Sequence, residues 1–121
     1  QNFKPLEERR IVFHFGVVYG TKAATLREIP GWIQAIIEGV EKTRFDRCHF
    51  QLFGESDLRF ETVFFVLDPD YKTFMDIQQA INLGICEKLE EHSVDFAFPT
   101  RTLYHVTPPA DVPLQPAAEI R

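Results

Sequence analysis

Cysteine is scarce: the 121-residue chain has two, Cys48 and Cys86, far apart and forming no CxxC. That removes a disulfide-framed scaffold and the thiol pairs of redox or zinc motifs, and two free, buried thiols are expected. Long hydrophobic runs are also missing. The longest wholly apolar stretch, "VFFVL" at residues 63–67, is far short of the roughly 20 residues that cross a bilayer. Nothing has the basic start, apolar run and small-residue cleavage site of a signal peptide. Positive charge is in deficit, with 13 Lys and Arg against 18 Asp and Glu and a net charge of -5. Nucleic acid and anionic membrane surfaces both select the opposite balance, so no nucleic-acid partner is expected. Methionine occurs once, at Met75, and the chain opens on "QNFKPLEERR". A fragment or a processed chain is expected, in which the lack of a membrane segment says little about the parent protein.

What is present is enough for one globular domain. Hydrophobic residues make up 45% and charged residues 26%, with 12 phenylalanines to supply a core. Residues 1–8 are polar and read as a linker from an upstream domain. "RRIVFHFGVVYG" is apolar at nearly every position, a strand with both faces covered, and Gly20 and Thr21 mark a turn. Leu26, Ile29, Ile33, Ile37 and Val40 carry helical spacing. Pro30 suits a first helical turn, which predicts a short turn over residues 23–28 and a main helix beginning near Pro30. "RFDRCHFQLF" and "LRFETVFFVL" read as a hairpin about the polar turn "GESD". Leu58, Phe60, Thr62, Phe64 and Val66 share one face of its second strand. Phe74, Ile77, Ile81, Ile85 and Leu89 stripe a second, longer helix that Asp68 or Asp70 can cap. Gly84 within it implies close packing. "VDFAFPTRTLYHV" reads as a fourth strand, and residues 107–121 as a Pro-rich tail, extended or disordered. No internal repeat appears.

The order β-α-β-β-α-β over residues 9–106 defines an α+β fold, the ferredoxin-like split βαβ unit with an antiparallel sheet and two helices on one face. The first strand offers Val12 and Val18 on one side and Ile11, Phe13 and Phe15 on the other. Apolar residues on both sides predict that something outside the fold, a partner subunit, covers part of the sheet.

Catalytic chemistry finds little purchase. His14, His49, His92 and His105 include no pair at metal-ligand spacing, and Cys48 and His49 are adjacent, so a strand points them to opposite faces. No GxSxG, P-loop or GxGxxG is present, and neither cysteine has an activating neighbourhood. No catalytic residue, metal or cofactor is therefore expected. An acylphosphatase reading fails because "GVVYGTKAAT" has Lys22 where that loop needs an arginine. An RNA-recognition reading fails on the acidic balance and on Glu61, which would face phosphate or base. Glu87 to Glu91, His14 and His49 stand out by polarity alone, which ordinary solvent exposure also explains.

Three blocks of residues, in order and correctly spaced, resemble the C-terminal cytoplasmic domain of the small-conductance mechanosensitive channel (MscS) family. Arg9, Arg10, Val12, Gly16, Val17, Tyr19 and Thr21 match its opening strand and turn. Phe53, Gly54, Ser56 and Leu58 match an F-G-x-S-x-L hairpin, and residues 98–102, "FPTRT", match an F-P-x-R/Q-T ending. Gly20 replaces a common acidic residue, and "VDFAFP" stands for "IEIPFP", which leaves details of assembly open. The resemblance implies a part of a channel rather than an enzyme. The parent would be a homo-oligomer, commonly a heptamer, held in the cell membrane by upstream transmembrane helices and opened by tension in osmotic shock. This domain would help build a vestibule on the cytoplasmic side. Pro99 confines the last strand to an edge or an irregular entry, where a neighbour could join, so a subunit interface is expected near Phe98, Pro99, Arg101 and Tyr104. The competing reading is a soluble ferredoxin-like module that binds a regulatory ligand on the open sheet face or at a dimer interface.

Overall fold

The computed structural model describes residues 8–97. Its first strand, β1 (Arg9–Val17), alternates as its sequence does: Ile11, Phe13, Phe15 and Val17 turn toward the helices, while Arg10, Val12 and His14 turn away. β2 (Thr43–Phe53) and β3 (Leu58–Val66) form the hairpin, closed by the Gly54 N–H donating to the Asp57 carbonyl at 2.7 Å. The sheet order is β1-β3-β2, antiparallel throughout. β3 is therefore central, and Leu58, Phe60, Thr62, Phe64 and Val66 are all buried on its helix-facing side. Thr62 spends its hydroxyl on the Cys48 sulfur at 3.4 Å.

β2 holds two irregularities, between Phe45 and Arg47 and between Phe50 and Leu52. Each places one additional residue, Asp46 or Gln51, against a β3 that stays regular. These bulges let Cys48 and Phe50 join the core while Arg47 and His49 stay outside. Cys48 is buried, and burial pushes its thiol up to about 11, which leaves it an inert space-filler. Cys86 corrects the expectation of two buried thiols: it is exposed, one step off the inward stripe of Ile81, Ile85 and Leu89.

Both helices pack into a single core with the sheet. The first, α1 (Ala23–Glu38), is one continuous helix with Pro30 inside it, not a short turn followed by a helix starting at Pro30. Proline there removes one backbone bond and costs about 3 kcal/mol. Burial of Ile29, Ile33 and Ile37, each at most 1% exposed, outweighs that cost, since a fully buried side chain of this size contributes about 1.5–3 kcal/mol. The second, α2 (Tyr71–Glu91), starts at Asp70, whose carboxylate accepts from the Thr73 N–H at 3.0 Å. Asp68 braces the cap by accepting the Asp70 N–H, and that bond, with Lys42 beside it, holds the Asp68 carboxyl below its usual range. Trp32 of α1 stacks on His92 at 4.1 Å between centroids, with the Lys88 ammonium 5.8 Å from the indole.

Of the expected fourth strand only residues 94–97 are described. Val17 and Phe96 form an antiparallel bridge, the Val18 N–H donates to Asp95, and the Ala97 N–H donates to Gly16. Its continuation and the tail at 107–121 lie outside the described residues, as do residues 1–7 of the expected linker. This sheet with two helices on one face is consistent with the ferredoxin-like class, the chain's end joining β1 on the side away from β3.

Gly84 faces Ile36, and a Cβ there would come 2.9 Å from the isoleucine Cγ2. Gly84→Ala should therefore lower the melting temperature, although alanine favours helix by about 1 kcal/mol, because overpacking costs about 1–3 kcal/mol. Gly84→Ala combined with Ile36→Ala should lose less than the sum of the two single changes, read by thermal denaturation. Additive losses would mean that the two residues do not compete for one space.

Candidate functional site

The open face of the sheet carries its own cover. Val63, which points away from the helices, is fully buried. The Arg44 guanidinium lies 4.1 Å from the Phe65 ring centroid and is anchored by Glu8 at 2.6 Å. At the centre Glu61 accepts from Arg47 at 2.9 Å and Gln51 at 3.3 Å, with His14 Nε2 also 3.3 Å away. Arg44 thus lays its guanidinium on Phe65, and Arg44 and Arg47 are each tied to a carboxylate. Val12, 40% exposed, is the large apolar side chain left at the middle of this face.

The opposite situation holds at the end where β1 leaves the sheet and β2 turns into β3. The Tyr19 hydroxyl donates to the Gly54 carbonyl at 2.5 Å and ties the β1 exit to the hairpin. Thr21 closes the exit turn with its hydroxyl on the Val18 carbonyl, and Gly20 supplies the positive φ of 100° that this turn needs. Asp57 sits over Gly16 and Gly54 together, and a Cβ on either glycine would collide with its carboxyl group. Arg59 Nε holds that carboxylate at 3.3 Å. Two glycines from separate segments therefore make room for one acidic side chain.

A row of phenylalanines crosses the sheet beside this end. Phe96, Phe15, Phe60, Phe50 and Phe53 follow one another at centroid separations of 6.5, 5.3, 5.3 and 5.2 Å. The register puts Phe15, Phe60 and Phe50 directly opposite one another, so the row is a cross-strand ladder. It begins in the core and runs out to Phe53, 74% exposed. Leu52 and Tyr19 beside the turn are 39% and 49% exposed.

The structure brings the first two blocks of motif residues together at this end: Val17 pairs with Leu58, Tyr19 bonds to Gly54, and Asp57 sits against Gly16 and Gly54 alike. The expected interface residues Phe98, Pro99, Arg101 and Tyr104 lie outside the described residues, but the chain that leads to them is hydrogen-bonded to Gly16. The polar candidates do not converge: His14 and His49 lie on the open sheet face, while Glu87, Glu90 and Glu91 lie on α2, on the other side of the sheet. Among the described residues no group of three His, Cys, Asp or Glu side chains could hold a metal ion. Sequence reasoning passed over Asp57 and the exposure of Phe53. The signal available was a phenylalanine placed immediately before a polar turn, where a strand end has outrun its helices.

Glu61 gives the open face a pH signature. The Arg47 hydrogen bond, and secondarily His14, hold its carboxyl below the ordinary value of 4.5. Its stabilising contribution is therefore complete above that value and is lost as pH falls through the lower, folded one. Glu61→Gln should flatten the acid limb of a melting-temperature profile below about pH 4.5. An unchanged limb would show that the network carries no linkage. Gly16→Ala should destabilise by displacing Asp57, whose Cβ as well as carboxyl group it meets, and Gly16→Ala with Asp57→Gly should recover part of the loss in the same measurement.

Residues 11–96 match the family model for the C-terminal region of the mechanosensitive ion channel MscS. An uncharacterised MscS family protein of Aquifex aeolicus is 34% identical over 107 residues, covering 86% of this chain and 29% of that protein. The small-conductance mechanosensitive channel MscMJ of Methanocaldococcus jannaschii is 28% identical over 105 residues, covering 86% and 30%. In three dimensions the cryo-EM structure of a variant of Arabidopsis thaliana MSL1 superposes with a TM-score of 0.67 at 12% identity, covering 78% of this chain and 36% of that one. The chain spans less than a third of the length of these two curated relatives. With a match over most of its length to that C-terminal region, the chain belongs to the MscS family of mechanosensitive ion channels.

Proposed function

We propose that the chain is the C-terminal, cytoplasmic part of a membrane channel opened by tension, and that it works there in subunit assembly and in shaping the ion path rather than in catalysis. The parent is a homo-oligomer, a heptamer, anchored in the cell membrane by helices upstream of this segment. It releases solute when osmotic shock stretches the bilayer. The observation that carries the reading is the meeting of motif residues from two separate blocks at one end of the sheet, where Tyr19 and Phe53 stand exposed. A domain that acted alone would gain by burying them.

Several features fit this division of labour. No helix among the described residues is long and apolar enough to cross a membrane, so anchoring falls to other segments. The reading as a ligand-binding module draws little from one indentation among the described residues. Lined by Glu8, Arg9, Asp68 and Pro69, this space of about 330 Å³ has its polar groups already engaged. Glu8 holds Arg44, Asp68 holds Lys42, and Arg9 lies against Tyr71 and Phe74 while donating to the Pro69 carbonyl.

The parent gene, expressed in a bacterial host stripped of its own tension-gated channels, should rescue survival of hypo-osmotic shock. It should also give stretch-activated currents in excised patches, and the 121-residue chain alone should give neither. An upstream coding sequence with no apolar span of about 20 residues would sink the proposal. Saturable thermal stabilisation of the chain by a metabolite would favour the ligand-binding module instead.

A further inference from the structure

We propose that the open sheet face holds a binding site for a divalent transition ion of the zinc class, with His14, Glu61 and His49 as its protein ligands. The register puts the three in one row across the sheet, His14 opposite Glu61 and Glu61 opposite His49. Directly opposite residues share a face, with Cβ atoms about 5 Å apart. Glu61 is thus flanked by one imidazole from each neighbouring strand. His14 Nε2 and Glu61 Oε2 stand 3.3 Å apart. That is long for a hydrogen bond, whose N···O distance centres at about 2.9–3.0 Å. It is the separation of two ligand atoms that each lie about 2.05 Å from one tetrahedral ion. In its Nδ1–H tautomer His14 offers an Nε2 lone pair to the same space as Oε2.

The second oxygen of the carboxylate is engaged in a way that suits a ligand. Arg47 donates to Oε1 at 2.9 Å, whereas Oε2, the oxygen beside His14, has only the Gln51 amide at 3.3 Å as a further donor. A ligating carboxylate is ordinarily hydrogen-bonded in turn, which fixes its orientation. The Arg47 charge also opposes a cation, so the affinity is moderate. As the side chains stand, no three such groups converge. His49 is the one that must turn, and it is exposed, so its ring can reach Oε2 by a change of rotamer. The adjoining row, Val12, Val63 and Arg47, gives the site an apolar flank on two of the three strands. Two imidazoles and one carboxylate select zinc-class ions over magnesium and calcium, which take oxygen ligands, and they leave a fourth position to water. An ion held there joins β1, β3 and β2 at one level. The site does not depend on the channel reading above.

Isothermal titration of the tag-free 121-residue chain with zinc chloride should show saturable binding of one ion per chain in the micromolar range, and magnesium chloride should show none. His14→Ala and His49→Ala should each weaken zinc binding about tenfold or more. Zinc should raise the melting temperature of the chain and leave that of either variant where it was without metal. The metal-free melting temperatures report separately whether each variant folds. Cys86→Ser, His92→Ala and His105→Ala, which remove the other histidines and the exposed thiol, should leave the affinity unchanged. Affinity indifferent to His14→Ala or to His49→Ala, or lost with Cys86→Ser, would overturn the site. So would magnesium binding as tightly as zinc, or no zinc binding at all. One ion per two chains, with a doubled mass in sedimentation velocity, would replace the site by a bridge between copies. None of these outcomes bears on the osmotic rescue by the parent, so the two proposals stand or fall separately.

Discussion

The stacking of Phe15 and Phe50 on either side of Phe60 is the contact on which this domain depends. Phe60 lies on the central strand, so the ladder clamps all three strands at one level. It fixes the register as well. A slip of one residue between β1 and β3 would bring His14 to the helix side and carry Phe15 into solvent. The helices then have one sheet surface to cover. The stripe of Ile29, Ile33 and Ile37 and that of Ile77, Ile81 and Ile85 close over it with Gly84 set against Ile36.

The same ladder separates a finished surface from an unfinished one. Where β3 is flanked on both sides, its outward residues meet arginines long enough to roof them, and Val63 disappears beneath that roof. At the hairpin end, among the described residues, the last aromatic ring, Phe53, packs on Phe50 and is otherwise open. The acidic balance of the chain and the arginines Arg44, Arg47 and Arg59 on the open sheet face are compatible because each has a carboxylate beside it.

Much of this architecture was legible because periodicity reports burial directly. The two helical stripes, the face of β3 that holds Phe60 and Phe64, the Asp70 cap and the tight packing at Gly84 all follow from spacing or from one residue's chemistry. Pro30 was misread because local cost was weighed without the tertiary burial of Ile29 and Ile33 on either side of it. Cys86 was misread because hydrophobic character was taken as burial, while its place on the helix decides otherwise. The apolar residues on both sides of β1 were correctly seen. Val12 stays 40% exposed on the outer side of β1, while Phe65 of the neighbouring strand is covered by Arg44. The expected interface at Phe98, Pro99, Arg101 and Tyr104 lies outside the described residues.

The two bulges in β2 have a mechanical consequence. With Asp46 and Gln51 set aside, β2 alternates cleanly, with Phe45, Cys48, Phe50 and Phe53 on one face and Arg47, His49 and Leu52 on the other. The added residues therefore contribute contour rather than pattern: at about 3.3 Å each, roughly 7 Å more backbone on one rail of a ladder than on the other. Two rails of unequal length joined rung by rung must curl, as a bimetallic strip does when one metal expands. The curl accumulates toward the turn, and the ring it carries outward is Phe53.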